Sequence, residues 1–80
     1  MELNEFVNNF AQQFDGTNAT EIKAETNFKA LNEWSSLIAL SVIAMIDDEY
    51  DVTIKGADIK NSITVEDLFN IVKEKKDASN

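Results

Sequence analysis

The chain has 80 residues, enough for one small domain and too few for two. It holds no cysteine, histidine or proline and only two glycines, which removes disulfides, Cys/His zinc sites and turn-rich all-β folds and leaves helices packed on one core. Fifteen acidic residues against seven lysines, with no arginine, give a net charge of −8, the wrong sign for nucleic acid or for an anionic membrane surface.

Leu3, Phe6, Val7, Phe10, Ala11 and Phe14 recur at the spacing of one helical face, with Asn4, Glu5, Asn8, Asn9, Gln12 and Gln13 opposite. An amphipathic helix is expected there, ended by Asp15-Gly16, where glycine can adopt the left-handed conformation. From Thr17 to about Ser35 the period is lost, and Thr17, Asn18, Thr20, Thr26 and Asn27 compete with helix formation through local hydrogen bonds. So long a loop needs pinning. Ile22, Phe28 and Leu31 are the candidates, with a short helical turn over Glu21 to Glu25.

A second helix is expected from Ser36 to Tyr50, apolar around nearly its whole circumference. Such a helix is either buried on all sides or keeps a face for something else, and a domain of this size can hardly enclose one completely. Its longest apolar run, Leu37 to Ile46, is ten residues broken by Ser41, whereas a membrane span needs about 20. Asp51 to Ile54 reads as an extended linker and Gly56 to Asn61 as a short third helix around Ile59. Thr64, with Asp67 three residues on, resembles a capping box opening a last helix from Val65 to about Lys75. That helix should bury Val65, Leu68, Phe69, Ile71 and Val72, and end in a frayed tail over residues 77–80. The opening Met1 to Phe6 lacks the basic segment and apolar core of a secretion signal. The expectation is one all-α domain over residues 1–80, cytoplasmic and monomeric.

Self-contained catalysis is poorly supported. There is no histidine to activate a serine and no glycine series to cradle phosphate. Asp47, Glu49 and Asp51 fit the first, third and fifth positions of a calcium loop, but Val52 stands where glycine is required and Asp58 where a glutamate should close the site. Ser35-Ser36-Leu37 is more informative. The bland reading is an N-cap. The alternative is a serine that carries a phosphate-linked group at a helix N-terminus, where the dipole and free N–H groups suit an anion.

Phe28, Ser36-Leu37, Asp47-Asp48-Glu49-Tyr50, Ile54 and Thr64-Val65-Glu66-Asp67-Leu68 stand in an order and spacing that resembles the acyl carrier proteins. The amphipathic first helix fits as well. The resemblance implies a four-helix bundle with a long first loop and a short third helix. It also implies a 4′-phosphopantetheine arm on Ser36, attached from coenzyme A by a separate phosphopantetheinyl transferase, with an acyl group held as a thioester on the arm's thiol. The chain would then be a non-catalytic phosphoprotein of fatty acid or polyketide-type biosynthesis. Its docking face would comprise Trp34, Leu37, Ile38, Leu40, Ser41, Ala44, Asp47 and Asp48, read by acyl-loading and acyl-transferring enzymes with basic surfaces.

Four positions depart from the family pattern. Ser35 replaces the usual aspartate, and is itself the lesser candidate for the arm. Trp34 replaces a small residue, Ile38 an often polar one, and Ser41 a frequent glutamate. These point to a dedicated carrier for one pathway. A competing reading is an unmodified interaction module of the same fold, docking through Trp34, Leu37 and Ile38. An enzyme would need turnover by the purified chain alone. The crowded acids also predict a melting temperature that rises from low to moderate ionic strength as self-repulsion is screened; a salt-independent one would contradict this.

Overall fold

The computed structural model describes residues 2–14 and 21–78. Four helices form an all-α bundle: α1 (Leu3–Ala11), α2 (Ser36–Tyr50), a short α3 (Gly56–Lys60) and α4 (Val65–Ala78). Among the described residues there is no strand; the nearest feature is an isolated antiparallel bridge between Asn27 and Thr64. Helix α1 packs on α4 and α2, and α3 packs on α4.

The apolar face of α1 is buried as its spacing requires, through Phe6, Val7, Phe10 and Ala11, with Leu3 half-buried at the rim. The α-helix stops at Ala11, short of Phe14. The N–H groups of Gln13 and Phe14 bond to the carbonyls of Phe10 and Ala11 at 3.1 Å, a tighter i to i+3 turn that still delivers Phe14 to the core. The expected stop at Asp15-Gly16 lies outside the described residues.

Two devices hold the described part of the loop to the core and to α4. Ile22 and Phe28 are buried, Leu31 is half-buried, and a 3-10 turn over Phe28–Ala30 follows the pinned phenylalanine. The turn before it spans residues 23–26 rather than 21–25: the Thr26 N–H donates to the Lys23 carbonyl at 3.1 Å, and the Thr26 hydroxyl accepts the Lys23 N–H at 2.8 Å. The second device is backbone bonding to α4. The Val65 N–H donates to the Thr26 carbonyl at 3.2 Å, and the Glu66 N–H to the Ala24 carbonyl at 2.9 Å. Two of the donors that a helix N-terminus leaves orphaned are thus satisfied by the loop.

The capping box satisfies the rest. The Asp67 N–H donates to Thr64 Oγ1 at 3.1 Å, while Asp67 Oδ2 accepts the N–H groups of Thr64 at 3.0 Å and Ile63 at 3.1 Å. Helix α3 has half of such a box. Asp58 Oδ2 accepts the Lys55 N–H at 2.9 Å, but a lysine side chain has no acceptor with which to reciprocate. Ser62, fully buried, donates its hydroxyl to the Asp58 carbonyl at 2.9 Å.

Two expectations for α4 need correction. It continues to Ala78, because nothing after Lys75 breaks it and its last turns are tethered. Lys76 Nζ donates to the Tyr50 carbonyl at 2.9 Å, and Lys75 Nζ lies 3.6 Å from Asp58 Oδ2. Residues 77 and 78 are therefore helical rather than frayed; 79 and 80 lie outside the described residues. Ile71 is only half-buried, since the inward stripe is filled by Val65, Leu68, Phe69 and Val72. Asp51, expected to open an extended linker, is instead the left-handed C-cap of α2, with φ 56° and ψ 40° and its N–H donating to the Asp47 carbonyl at 3.0 Å. The linker that follows belongs to no helix or strand and buries Val52 and Ile54.

The bonds from Thr64 and Ile63 hold the Asp67 carboxyl below the ordinary aspartate value. Thr64→Ala should cost about 1 kcal/mol. Asp67→Ala should lower the melting temperature at neutral pH. A depressed folded pKa stabilises above the unfolded pKa, and that contribution disappears as pH falls through the folded value. The melting temperatures of the parent and Asp67→Ala should therefore converge in acid; a gap of constant size from neutral pH into strong acid would refute the assignment.

Candidate functional site

Helix α2 begins where a cap is available. Ser35 is extended, with φ −153° and ψ 171°, and its Oγ accepts the Ile38 N–H at 3.3 Å, while its carbonyl accepts the Ala39 N–H at 2.9 Å. Ser35 is thus the N-cap and Ser36 the first helical residue. Both are exposed. The Ser36 hydroxyl makes no hydrogen bond to any described residue. The bland reading of the serine pair therefore belongs to Ser35, and Ser36 is left with an accessible hydroxyl beside the free N–H groups of the first helical turn.

The inner side of α2 is formed by Val42, Met45, Ile46 and Tyr50. Its outer side keeps a large apolar surface: Leu37 is 72% exposed and Leu40 62%. Ala44, Asp47 and Asp48 continue that exposed stripe, with Ser41 half-buried on it. Ile38 and Trp34 are half-buried and pack against the core. The proposed docking residues therefore divide into an outer stripe and two residues that lean inward. Trp34 is fixed by an edge-on contact with Phe28, ring centroids 4.8 Å apart, and by Phe14 at 6.3 Å.

Two grooves flank α2. The one beside the serines has a volume of about 740 Å³ and runs between the first loop, α2 and α3. Ser35 and Ser36 stand at its edge; Trp34, Ala39, Leu40, Ile43 and Ile59 give it apolar walls. Lys29 and Lys60 border it, and Lys29 Nζ donates to the Lys60 carbonyl at 2.9 Å and to the Ile59 carbonyl at 3.4 Å, tying the loop to the end of α3. Sequence reading missed both lysines and the α3 wall. The only signal was the position of Lys29 directly after the pinned Phe28.

The second groove, about 650 Å³, lies between α1 and α2 and is polar. Asn9, Gln12 and Gln13 face Asp47, Asp48 and Glu49 across it. Nearby, Asn9 Nδ2 donates to the Tyr50 hydroxyl at 3.0 Å, joining the two helices. Burial pushes the Tyr50 phenol above its ordinary pKa against the pull of that bond, and the charges of Glu5 and Glu49 add to the rise. The described residues bring together no group of three or more acids able to hold a metal ion, and among them no helix is long and apolar enough to cross a membrane.

No protein family, curated protein or solved structure matches the chain. The functional reading therefore stands on the residues and their placement.

Trp34 is the only tryptophan and is half-buried beside Ser35. Its emission in the folded protein should fall between those of an exposed and a deeply buried indole, and acrylamide should quench it without unfolding. Complete protection from quencher would place the ring elsewhere.

Proposed function

We propose that the protein is a carrier domain of the acyl carrier type, modified on Ser36 by 4′-phosphopantetheine. The observation that supports this best is the division of labour between the two serines. Ser35 accepts the Ile38 N–H and so caps α2, while Ser36 is exposed on the first turn and its hydroxyl bonds to no described residue. Serine and aspartate are both good N-caps. The departure from the family's aspartate at this position therefore keeps its structural role while removing one charge.

The residues present fit the arm. A phosphate on Ser36 Oγ would meet the orphan N–H groups and positive dipole end of a helix of 15 residues. Attachment forms a bond from Ser36 Oγ to the phosphorus that bears the pantetheine and breaks that phosphorus's bond to the nucleotide part of coenzyme A. The hydroxyl proton passes to a base of the transferase, so no histidine is needed in this chain. The arm, when attached, supplies the thiol that carries the acyl group. Leu37, Leu40 and Ala44 offer an apolar contact for the enzymes it visits, and Asp47 and Asp48 attract their basic surfaces, setting on-rate more than affinity. The apolar groove beside Ser36 lies within reach of whatever the arm holds.

The exposed Leu37 and Leu40 equally support the second reading, an unmodified docking module. Intact mass after incubation with coenzyme A, magnesium and a broad-specificity phosphopantetheinyl transferase separates the two. One arm is expected, mapping to Ser36 and absent from Ser36→Ala. Ser35→Ala should still be loaded but should lose about 1 kcal/mol of stability. Loading on Ser35 instead would overturn the assignment of the arm to Ser36, and none on folded protein beside a working control would turn the assignment to the docking module.

A further inference from the structure

Lys29 and Lys60 border the groove beside Ser36, and none of the described residues lining it is Asp or Glu. In a chain with fifteen acids against seven basic residues, this is a local reversal of charge. Lys29 is also held in place. Its two bonds go to neutral backbone carbonyls at 2.9 and 3.4 Å, so the tether fixes the ammonium without neutralising it. Lys60, one turn past the groove's Gly56, is exposed. Between the serines and the lysines the walls are apolar, from Trp34, Leu40, Ile43 and Ile59.

We propose that this groove selects an anionic amphiphile, a fatty carboxylate, with the alkyl chain along the apolar walls and the carboxylate at Lys29 and Lys60. Under the carrier reading the cargo would be an acyl chain with a carboxylate at its far end. The inference rests on that reading only for how the cargo arrives, because the selectivity belongs to the groove itself. A fixed ammonium has already lost the freedom that binding would otherwise take from it.

The charge of the whole chain makes the test severe. A merely greasy groove on a protein of net charge −8 would rank ligands of equal chain length as cation, then neutral, then anion. The lysine pair reverses that order. At about 0.15 M salt the screening length is about 8 Å, so distant acids fade while charges bordering the groove persist.

Trp34 lines the groove and reports occupancy. Unmodified protein is titrated at neutral pH and about 0.15 M salt with octanoate, 1-octanol and octyltrimethylammonium, following Trp34 fluorescence. Octanoate should bind saturably and about threefold to tenfold tighter than octanol, the range expected for two partly exposed charge contacts. The ammonium ligand should bind most weakly. Lys60→Gln should shrink the octanoate preference, the Lys29→Gln/Lys60→Gln double variant should abolish it, and Lys29→Arg, which keeps the charge, should retain it. Octanol or the ammonium ligand binding as tightly as octanoate, a preference that survives the double variant, or no saturable response to any of the three would overturn the proposal. Because no arm is present, such a failure leaves the result of Ser36 loading untouched.

Discussion

Phe28 sits where the first loop meets the bundle, and the site depends on its packing. The ring is fully buried, against Phe10 at 5.2 Å and Trp34 at 4.8 Å. Through Phe10 it connects to Phe14 and Phe6, and through Phe6 to Tyr50 and Phe69. Every aromatic residue of the chain, five Phe, one Trp and one Tyr, belongs to this one network. It joins α1, α2, α4 and the loop, and its outer end is Trp34, immediately before the two serines. Burying one phenylalanine gives about 1.5–3 kcal/mol, whereas ordering a residue costs about 1–2 kcal/mol in backbone entropy alone. Phe28 cannot fix the loop by itself. Ile22, the bonds from Val65 and Glu66 to the loop carbonyls, and the Lys29 tether to α3 are needed as well. The loop is consequently a structural wall of the groove.

Much of this was legible in the sequence for a physical reason. The α1 pattern has a strong 3.6-residue period, and a core needs those side chains whatever surrounds them. The Thr64 to Asp67 box is local chemistry, complete within four residues, and forms as its spacing dictates. What was hidden is what depends on contacts between distant residues. Nothing near Lys29 in the sequence announces that its ammonium meets carbonyls about thirty positions later, at Ile59 and Lys60. The C-terminal limit of α4, though not its start at Val65, was hidden for the same reason, because Lys76 is held by the Tyr50 carbonyl and Lys75 by Asp58. The serine pair was ambiguous because either residue has the chemistry of a cap. Only the backbone, extended at Ser35 and helical from Ser36, assigns the roles.

The apolar circumference of α2 resolves into three surfaces. Val42, Met45, Ile46 and Tyr50 belong to the core. Ala39 and Ile43 line the groove toward α3. Leu37 faces outward, and Leu40, which also lines that groove, is exposed beside it. A helix with one apolar face could not serve all three at once, which is the physical reason its pattern shows no single face.

Charge is divided around the same helix. On the side toward α1, Asp47, Asp48 and Glu49 stand against neutral amides. On the side toward α3, Lys29 and Lys60 stand with no acid lining the groove among the described residues. Helix α2 thus separates an acidic groove from a basic one within a chain of net charge −8. A basic partner of the proposed kind would be attracted to the first side and repelled from the second. Under the proposed carrier reading, docking and cargo retention would draw on opposite signs of charge.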